Sequence, residues 1–375
     1  MAFERGTVGG FRRARAAALL SLAIAALAVL AAPAGAEAKR VHIRGTAYEF
    51  NKTDLLLAGA KIRVAEYPRL SATVKRNGTY DLAVPDRAAV TPYIVAAGHH
   101  TVYLQTFRTA GEDLERVNFQ TPSDGIYRAL AALLSVPLDA DGEISECAIV
   151  STFSTRNVRD VSFRQFTGYG AHGVADATAL ATPTLPAPIY FNDDVIPDPA
   201  QERSSIDGGV IWTGVPTGVY RIRARHPSRR FASFLATCKP GRVVNANPPW
   251  GLHELGKPMP AVVSARWSVI PGGALLDGLR VAKLPAEAAV RISCTGRQCP
   301  FRRRTVAEPR GKRIDLLSAL GPSARRLLPG QTLDVLVSAR GHNGKLVRWR
   351  VPAAGVPTRA TRCVRLGTAK PRKRC

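Results

Sequence analysis

The sequence predicts a mostly β protein built as tandem β-sandwiches with one linking helix and a C-terminal β module. Three observations predict this. Short segments alternate apolar and polar residues along most of the chain, Gly, Asn and Pro separate them, and only one stretch has helical spacing. The 375 residues suffice for two or three domains, at ~100–150 residues each.

Residues 1–36 have the three parts of a secretory signal. Arg5, Arg12, Arg13 and Arg15 supply a cationic start, an apolar run extends over 16–32, and Ala34-Gly35-Ala36 offers the small residues of a cleavage site. Cleavage is expected after Ala36, with Ala36-Glu37-Ala38 as second choice. The apolar run approaches the ~18 residues of a spanning helix, so an uncleaved anchor is the alternative. Arg15 interrupts the apolar residues that a twin-arginine signal needs after Arg12-Arg13. With no second long apolar stretch, the mature chain is expected to be extracytoplasmic, secreted or wall-associated, without a transmembrane segment.

The first module, 39–108, opens with Val41-His42-Ile43-Arg44-Gly45-Thr46-Ala47-Tyr48, which alternates as a half-buried strand does. Ala60-Lys61-Ile62-Arg63-Val64-Ala65 repeats the pattern. Segments 72–75 and 80–84 are expected to form a hairpin across Arg76-Asn77-Gly78-Thr79, because Asn-Gly supplies the positive φ of a tight turn. Pro85 ends that strand, and Gly98-His99-His100 turns between 94–97 and 101–104.

Three segments, Ala58-Gly59-Ala60-Lys61-Ile62-Arg63-Val64, Asn77-Gly78-Thr79-Tyr80-Asp81-Leu82-Ala83-Val84-Pro85 and Ala96-Ala97-Gly98-His99, carry a resemblance. The module resembles the carboxypeptidase regulatory-like, transthyretin-like sandwich family, grouped with carbohydrate-binding-like folds. The family pattern runs G-A-x-V, then D-G-x-Y-x-L-x-V-P, then A-x-G-Y. Here Asn77 replaces the Asp and His99 the aromatic. The resemblance implies an Ig-like or prealbumin-like β-sandwich over about 70 residues, and fold more than function.

A helical linker is expected within 109–142. Ser123-Asp124 offers N-cap oxygens ahead of Ile126, Ala129, Leu130, Leu133 and Leu134, and Pro137 stops the helix. The second module, 143–255, repeats the family pattern: residues 173–181 echo the 58–65 strand, and Asp207-Gly208-Gly209 through Val215-Pro216-Thr217-Gly218-Val219-Tyr220 echoes the hairpin with its Asp-Gly intact. Two diverged copies of one sandwich explain both halves. The third module, 261–357, has strands at 262–267, 289–293, 332–339 and 346–351, with Gly341-His342-Asn343-Gly344 joining the last two. Its Cys-Pro-Phe unit at 299–301 resembles uncharacterised β modules of secreted high-GC bacterial proteins. Residues 358–375 are expected as a basic tail.

Six cysteines, an even number and all beyond the signal, fit an oxidising compartment. Proximity and module layout favour Cys147–Cys238, Cys294–Cys299 and Cys363–Cys375. A zinc site is the rival, although Cys294 and Cys299 are spaced too far apart for its usual close pair.

The net charge of +25 is concentrated near the C-terminus, where 297–374 holds twenty Lys and Arg against Glu308, Asp315 and Asp334. Arg302, Arg303, Arg304, Arg372, Lys373 and Arg374 are the candidate polyanion contacts, with cell-wall polymer, carbohydrate or another polyanion as partner. Simple surface solubility is the alternative. No sequence-specific nucleic-acid motif is present.

No G-x-S-x-G elbow, H-E-x-x-H pair or Gly-rich phosphate loop appears, so a non-enzymatic binding or structural role is expected. Asp193, Asp194, Asp198 and Asp207 offer the hard oxygens Ca2+ requires, in a spacing unlike an EF-hand; no other cofactor is expected. Trp212, Trp250, Tyr190 and Phe191 are candidates for a sugar-stacking platform, with core burial as the alternative. Tyr169, His172, Tyr190 and His226 are the residue types some iron dioxygenases place on a similar sandwich. A metal-dependent enzyme on the second module is therefore the alternative function.

Overall fold

The computed structural model describes residues 39–246, 248–307 and 311–375. The signal expected over 1–36 lies outside them, as does Glu308. Strands dominate, and the fold is mostly β, as the alternation predicts. Among the described residues no helix is long and apolar enough to cross a membrane.

The first module contributes β1 (Arg40–Glu49), β2 (Lys52–Leu56), β3 (Lys61–Val64), β4 (Ser71–Thr73), β5 (Thr79–Pro85), β6 (Ala89–Val90), β7 (Pro92–Ala96), β8 (His99–Tyr103) and β9 (Phe107–Arg108), and the stretch expected as a helical linker adds a strand to it, β10 (Phe119–Thr121), which pairs with β1. Strands β10, β1 and β2 with β5 make a four-stranded sheet. Its inward residues Ile43, Tyr80, Leu82 and Phe119 pack on Ile62, Val64, Ile94 and Val102 of the facing sheet.

The helix forms as expected: α1 (Asp124–Leu133) starts after Ser123, whose side chain makes no capping bond. Next come β11 (Cys147–Thr152), the short α2 (Phe163–Thr167), β12 (Thr178–Thr182), β13 (Ile189–Phe191), β14 (Pro197–Asp198), β15 (Gly209–Val215), β16 (Gly218–Arg225), β17 (Phe234–Cys238) and β18 (Val243–Ala246). A capping box between Ser162 and Gln165 starts α2.

One nine-stranded sheet, ordered β14-β13-β15-β11-β18-β8-β7-β3-β4, runs through both modules. Its junction is parallel pairing of β18 with β8, Val243 opposite Val102 and Val244 opposite Tyr103. At the second module, Ile149, Val210, Trp212 and Val244 face Tyr220, Ile222, Phe234 and Ala236 of the β12-β16-β17 sheet. The neighbouring residues Ala148 and Val243 point the other way, where Tyr127 of α1 packs on them.

The turns at Gly98-His99-His100 and 341–344 join antiparallel partners as expected, but the hairpins expected at 72–84 and 207–220 are corrected. The Asn77–Gly78 turn exists: Gly78 has φ +75° and a Cβ there would lie 2.8 Å from Leu56. Asn77 Oδ1 accepts from the Thr79 backbone N–H. Yet β4 pairs with β3 in the nine-stranded sheet, while β5 pairs with β1 in the other. Likewise β15 pairs with β11 and β13, whereas β16 pairs with β12 and β17. Each turn carries the chain across a sandwich core, since each strand buries its apolar face against the opposite sheet.

The third module comprises β19 (Val262–Ile270), β20 (Gly273–Ala282), β21 (Ala289–Thr295), β22 (Arg303–Ala307), β23 (Arg313–Asp315), β24 (Arg326–Leu327), β25 (Thr332–Ser338), β26 (Gly344–Arg350), β27 (Thr358–Val364) and β28 (Pro371–Arg372). A four-stranded sheet of β19, β20, β23 and β24 covers a six-stranded sheet ordered β22-β21-β25-β26-β27-β28. Residues 358–364, expected in a basic tail, pair with β26 along their whole length. All three disulfides form as the layout favours, with Cα separations of 5.5, 5.8 and 5.7 Å. Cys147–Cys238 crosses the second sandwich from β11 to β17.

Candidate polyanion-binding face

Strand alternation sorts the six-stranded sheet into two faces. Val290 and Ile292 on β21, Leu333, Val335 and Val337 on β25, and Val347 and Trp349 on β26 fill the core. The residues between them therefore point outward. Outward rows follow from the register: Arg303 opposite Ser293, Ser293 opposite Asp334, and Asp334 opposite Arg348. The next row holds Arg291, Leu336, Leu346 and Arg362. Arg350, opposite Thr332, stands in the row beyond.

Among the described residues this face carries five arginines and one acid. Arg348 grips Asp334 with two bonds of 2.7 Å, Nε to Oδ1 and Nη2 to Oδ2. That carboxylate raises the Arg348 pKa above its ordinary value. Arg291, Arg303, Arg350 and Arg362 have no carboxylate within 4 Å among the described residues. Neighbouring strands lie ~4.8 Å apart, so Arg303 and Arg348 stand roughly 14 Å apart along one row. Four unneutralised guanidiniums spread over one sheet face suit a chain of repeating anions more than one small ion.

The basic residues singled out by sequence do not form one patch. Arg303 belongs to the face. Arg304 is in register with Ile292 and points to the other side, while Arg302 precedes β22, its carbonyl accepting from Cys294 N. Arg372 sits on β28, at the opposite edge of the sheet, 3.8 Å from Glu112; Lys373 and Arg374 follow it, exposed. The residues missed were Arg291, Arg348, Arg350 and Arg362. Their signal was alternation, as in Val290-Arg291-Ile292 and Arg348-Trp349-Arg350.

The sugar-stacking expectation is corrected for three of its four residues. Trp212, Tyr190 and Phe191 are buried. Trp212 Nε1 donates to Pro186 O, and the Tyr190 hydroxyl accepts from Ala179 N. Trp212 and Tyr190 face the core between the two sheets, whereas Phe191 lies on the opposite side, beneath α1. Trp250 is half-buried, with its Nε1 donating to Glu115 O and its ring edge-on to Phe107 and 4.1 Å from the Arg159 guanidinium. Burial lowers Arg159 to about 9.

Asp198 and Asp207 cap their own turns, and Asp193 ties its loop to Ile206, thirteen residues on. Asp193 accepts from Ile206 N, Asp198 from Ala200 N and Asp207 from Gly209 N, while Asp194 donates its N–H to Asn192. Burial raises the Asp207 pKa. Among the described residues no three His, Cys, Asp or Glu side chains are grouped to hold a metal. Tyr169, His172, Tyr190 and His226 are likewise held separately. His172 Nδ1 bonds Gly170 O, His226 Nδ1 accepts from Ser228 N and Arg229 N, and Tyr169 lies under Arg340.

A cleft of about 340 Å³ opens between α1 and the nine-stranded sheet, lined by Tyr127, Leu130, Val150, Phe191 and Ile211. His100 stacks on Tyr127 beside it, with ring centroids 3.6 Å apart.

No family model matches the sequence, and no curated protein matches it. Solved structures that resemble the chain include a type II cohesin–X-dockerin complex from Acetivibrio cellulolyticus, 15% identical over 22% of this chain and 58% of that one, with a TM-score of 0.19. The Bacillus anthracis TIE protein is 10% identical over 89% and 49%, with a TM-score of 0.18. A Streptococcal ancillary pilin is 9% identical over 86% and 95%, also with a TM-score of 0.18. The chain spans about half the length of the first two. Likenesses this slight carry no argument about its role.

Proposed function

We propose that this chain is an exported, non-enzymatic protein that attaches to an acidic extracellular polymer through the outer face of its third module. The observation that carries the reading is the set of five arginines on that face against Asp334 alone among the described residues. Such a surface attracts polyanions by long-range field and by release of their counterions. Three disulfides support an oxidising, extracytoplasmic setting. The family motifs at 58–64, 77–85 and 207–220 support reading 39–108 and 143–255 as two diverged regulatory-like sandwiches, here sharing a sheet. The test is co-sedimentation of the oxidised chain with purified acidic wall polymer and with a neutral glucan across a salt series. The proposal expects binding to the acidic polymer alone, weakening as salt rises; equal retention by the neutral glucan, or none by either, refutes it.

A further inference from the structure

The second sandwich has a separate basic cleft of about 600 Å³, at the end of the β12–β16 ladder where Thr178 pairs with Arg225. Arg203, Arg225, Arg229 and Arg230 line it together with His226, Phe231 and one acid, Asp176. Arg203, Arg225 and Arg230 have no carboxylate within 4 Å among the described residues, whereas Arg229 reaches buried Glu254 at 3.4 Å.

The loop carrying these groups is fixed before any ligand arrives. His226 Nδ1 accepts from Ser228 N at 3.0 Å and Arg229 N at 3.1 Å. With Nδ1 an acceptor, the neutral ring carries its hydrogen on Nε2 and keeps one donor for a ligand. Further on, Leu255 N donates to Arg230 O and Ala232 N to His253 O. The Phe231 ring stands edge-on to core Phe153, 5.7 Å between centroids. A backbone held on both sides loses little freedom on binding.

We propose that this cleft binds a single oxyanion, a carboxylate or phosphate, carried on a sugar-sized molecule. The forked donors of Arg225 and Arg230 match either anion's paired oxygens, and Phe231 offers apolar surface to the rest of the ligand. The cleft's volume falls in the range of small-molecule sites.

The test is calorimetry on the full oxidised chain with glucuronate, glucose 1-phosphate and neutral glucose. At least one of the two anions is expected to bind saturably with one site, and glucose not at all. Which anion binds more tightly distinguishes carboxylate from phosphate. Arg225→Gln with Arg230→Gln should weaken that binding at least tenfold, since both side chains are exposed and neither supports the core. Arg63→Gln with Lys75→Gln, exposed on the first module and outside both basic sites, should leave it unchanged. No saturable anion binding, binding indifferent to the Arg225 and Arg230 changes, or loss in the Arg63 and Lys75 variant would each overturn the assignment. None of these outcomes depends on whether the third module holds a polymer.

Discussion

Removing the Cys147–Cys238 bridge should destabilise the chain more than removing either of the others. The three bridges close loops of 91, 5 and 12 residues. The entropy that a cross-link removes from the unfolded chain then corresponds to about 4.6, 2.1 and 2.8 kcal/mol respectively. Burial acts in the same direction. Cys147 and Cys238 are fully enclosed in the second sandwich core, so replacing them with Ala also empties well-packed space. The assay is native-state hydrogen exchange on three double Cys→Ala variants, with opening free energies from peptides in 147–246 and 262–364. The first variant should lose about 4–5 kcal/mol in the former peptides, and the other two roughly half that in the latter. An equal or larger loss on deleting Cys294–Cys299 would refute the loop-length reasoning.

Three further outcomes follow from the packing. Burial lowers the His100 imidazole to about 4, against the attraction of Asp124. Between that value and the unfolded ~6.5 the unfolded chain binds the extra proton, so stability is whole above pH 6.5 and falls by about 3 kcal/mol on acidification to pH 4. In urea titrations at pH 7 and pH 4, His100→Gln should shrink the acid loss by that amount; coincident acid losses would contradict it. Trp212→Ala should cost about 3–5 kcal/mol by denaturant titration, as a core residue does, without a selective loss of sugar binding. Glu254, buried, accepts from Arg156 N at 3.3 Å and Arg229 Nη1 at 3.4 Å. Its replacement by Ala leaves the Arg156 and Arg229 side chains, 16% and 41% exposed, without their carboxylate and should cost about 1–3 kcal/mol in the same titration.

Strands such as β1, β5 and β21 were legible because each buries one face, which stamps a period of two on the residues. Partner choice was not. Asn77-Gly78 encodes a reversal of direction, and nothing local to it says that β5 joins β1 instead of β4. The β8–β18 pairing that fuses the two modules is equally remote, set by segments far apart in sequence. The helix was legible from Ser123 to Pro137, and the disulfides from order along the chain. The basic site was misjudged for a physical reason: Arg302-Arg303-Arg304 is dense in sequence, but adjacent strand residues point to opposite faces. The arginines that share a face come from separate strands and are each isolated in sequence. Trp212 was ambiguous because Val210-Ile211-Trp212 is continuously apolar, the pattern of a strand covered on both sides.

A charge-matched comparison of polymer binding tests the central claim most directly. One variant changes Arg291, Arg303, Arg350 and Arg362 to Gln, leaving Arg348 to neutralise Asp334; the other changes Arg302, Arg304, Lys373 and Arg374. Both lose four positive charges. If the outer face holds the polymer, the first variant loses most of its co-sedimentation with acidic wall polymer and flattens its salt dependence, while the second stays near wild type. Equal weakening of the two would mean that only net charge matters, and the account of an organised face would be wrong.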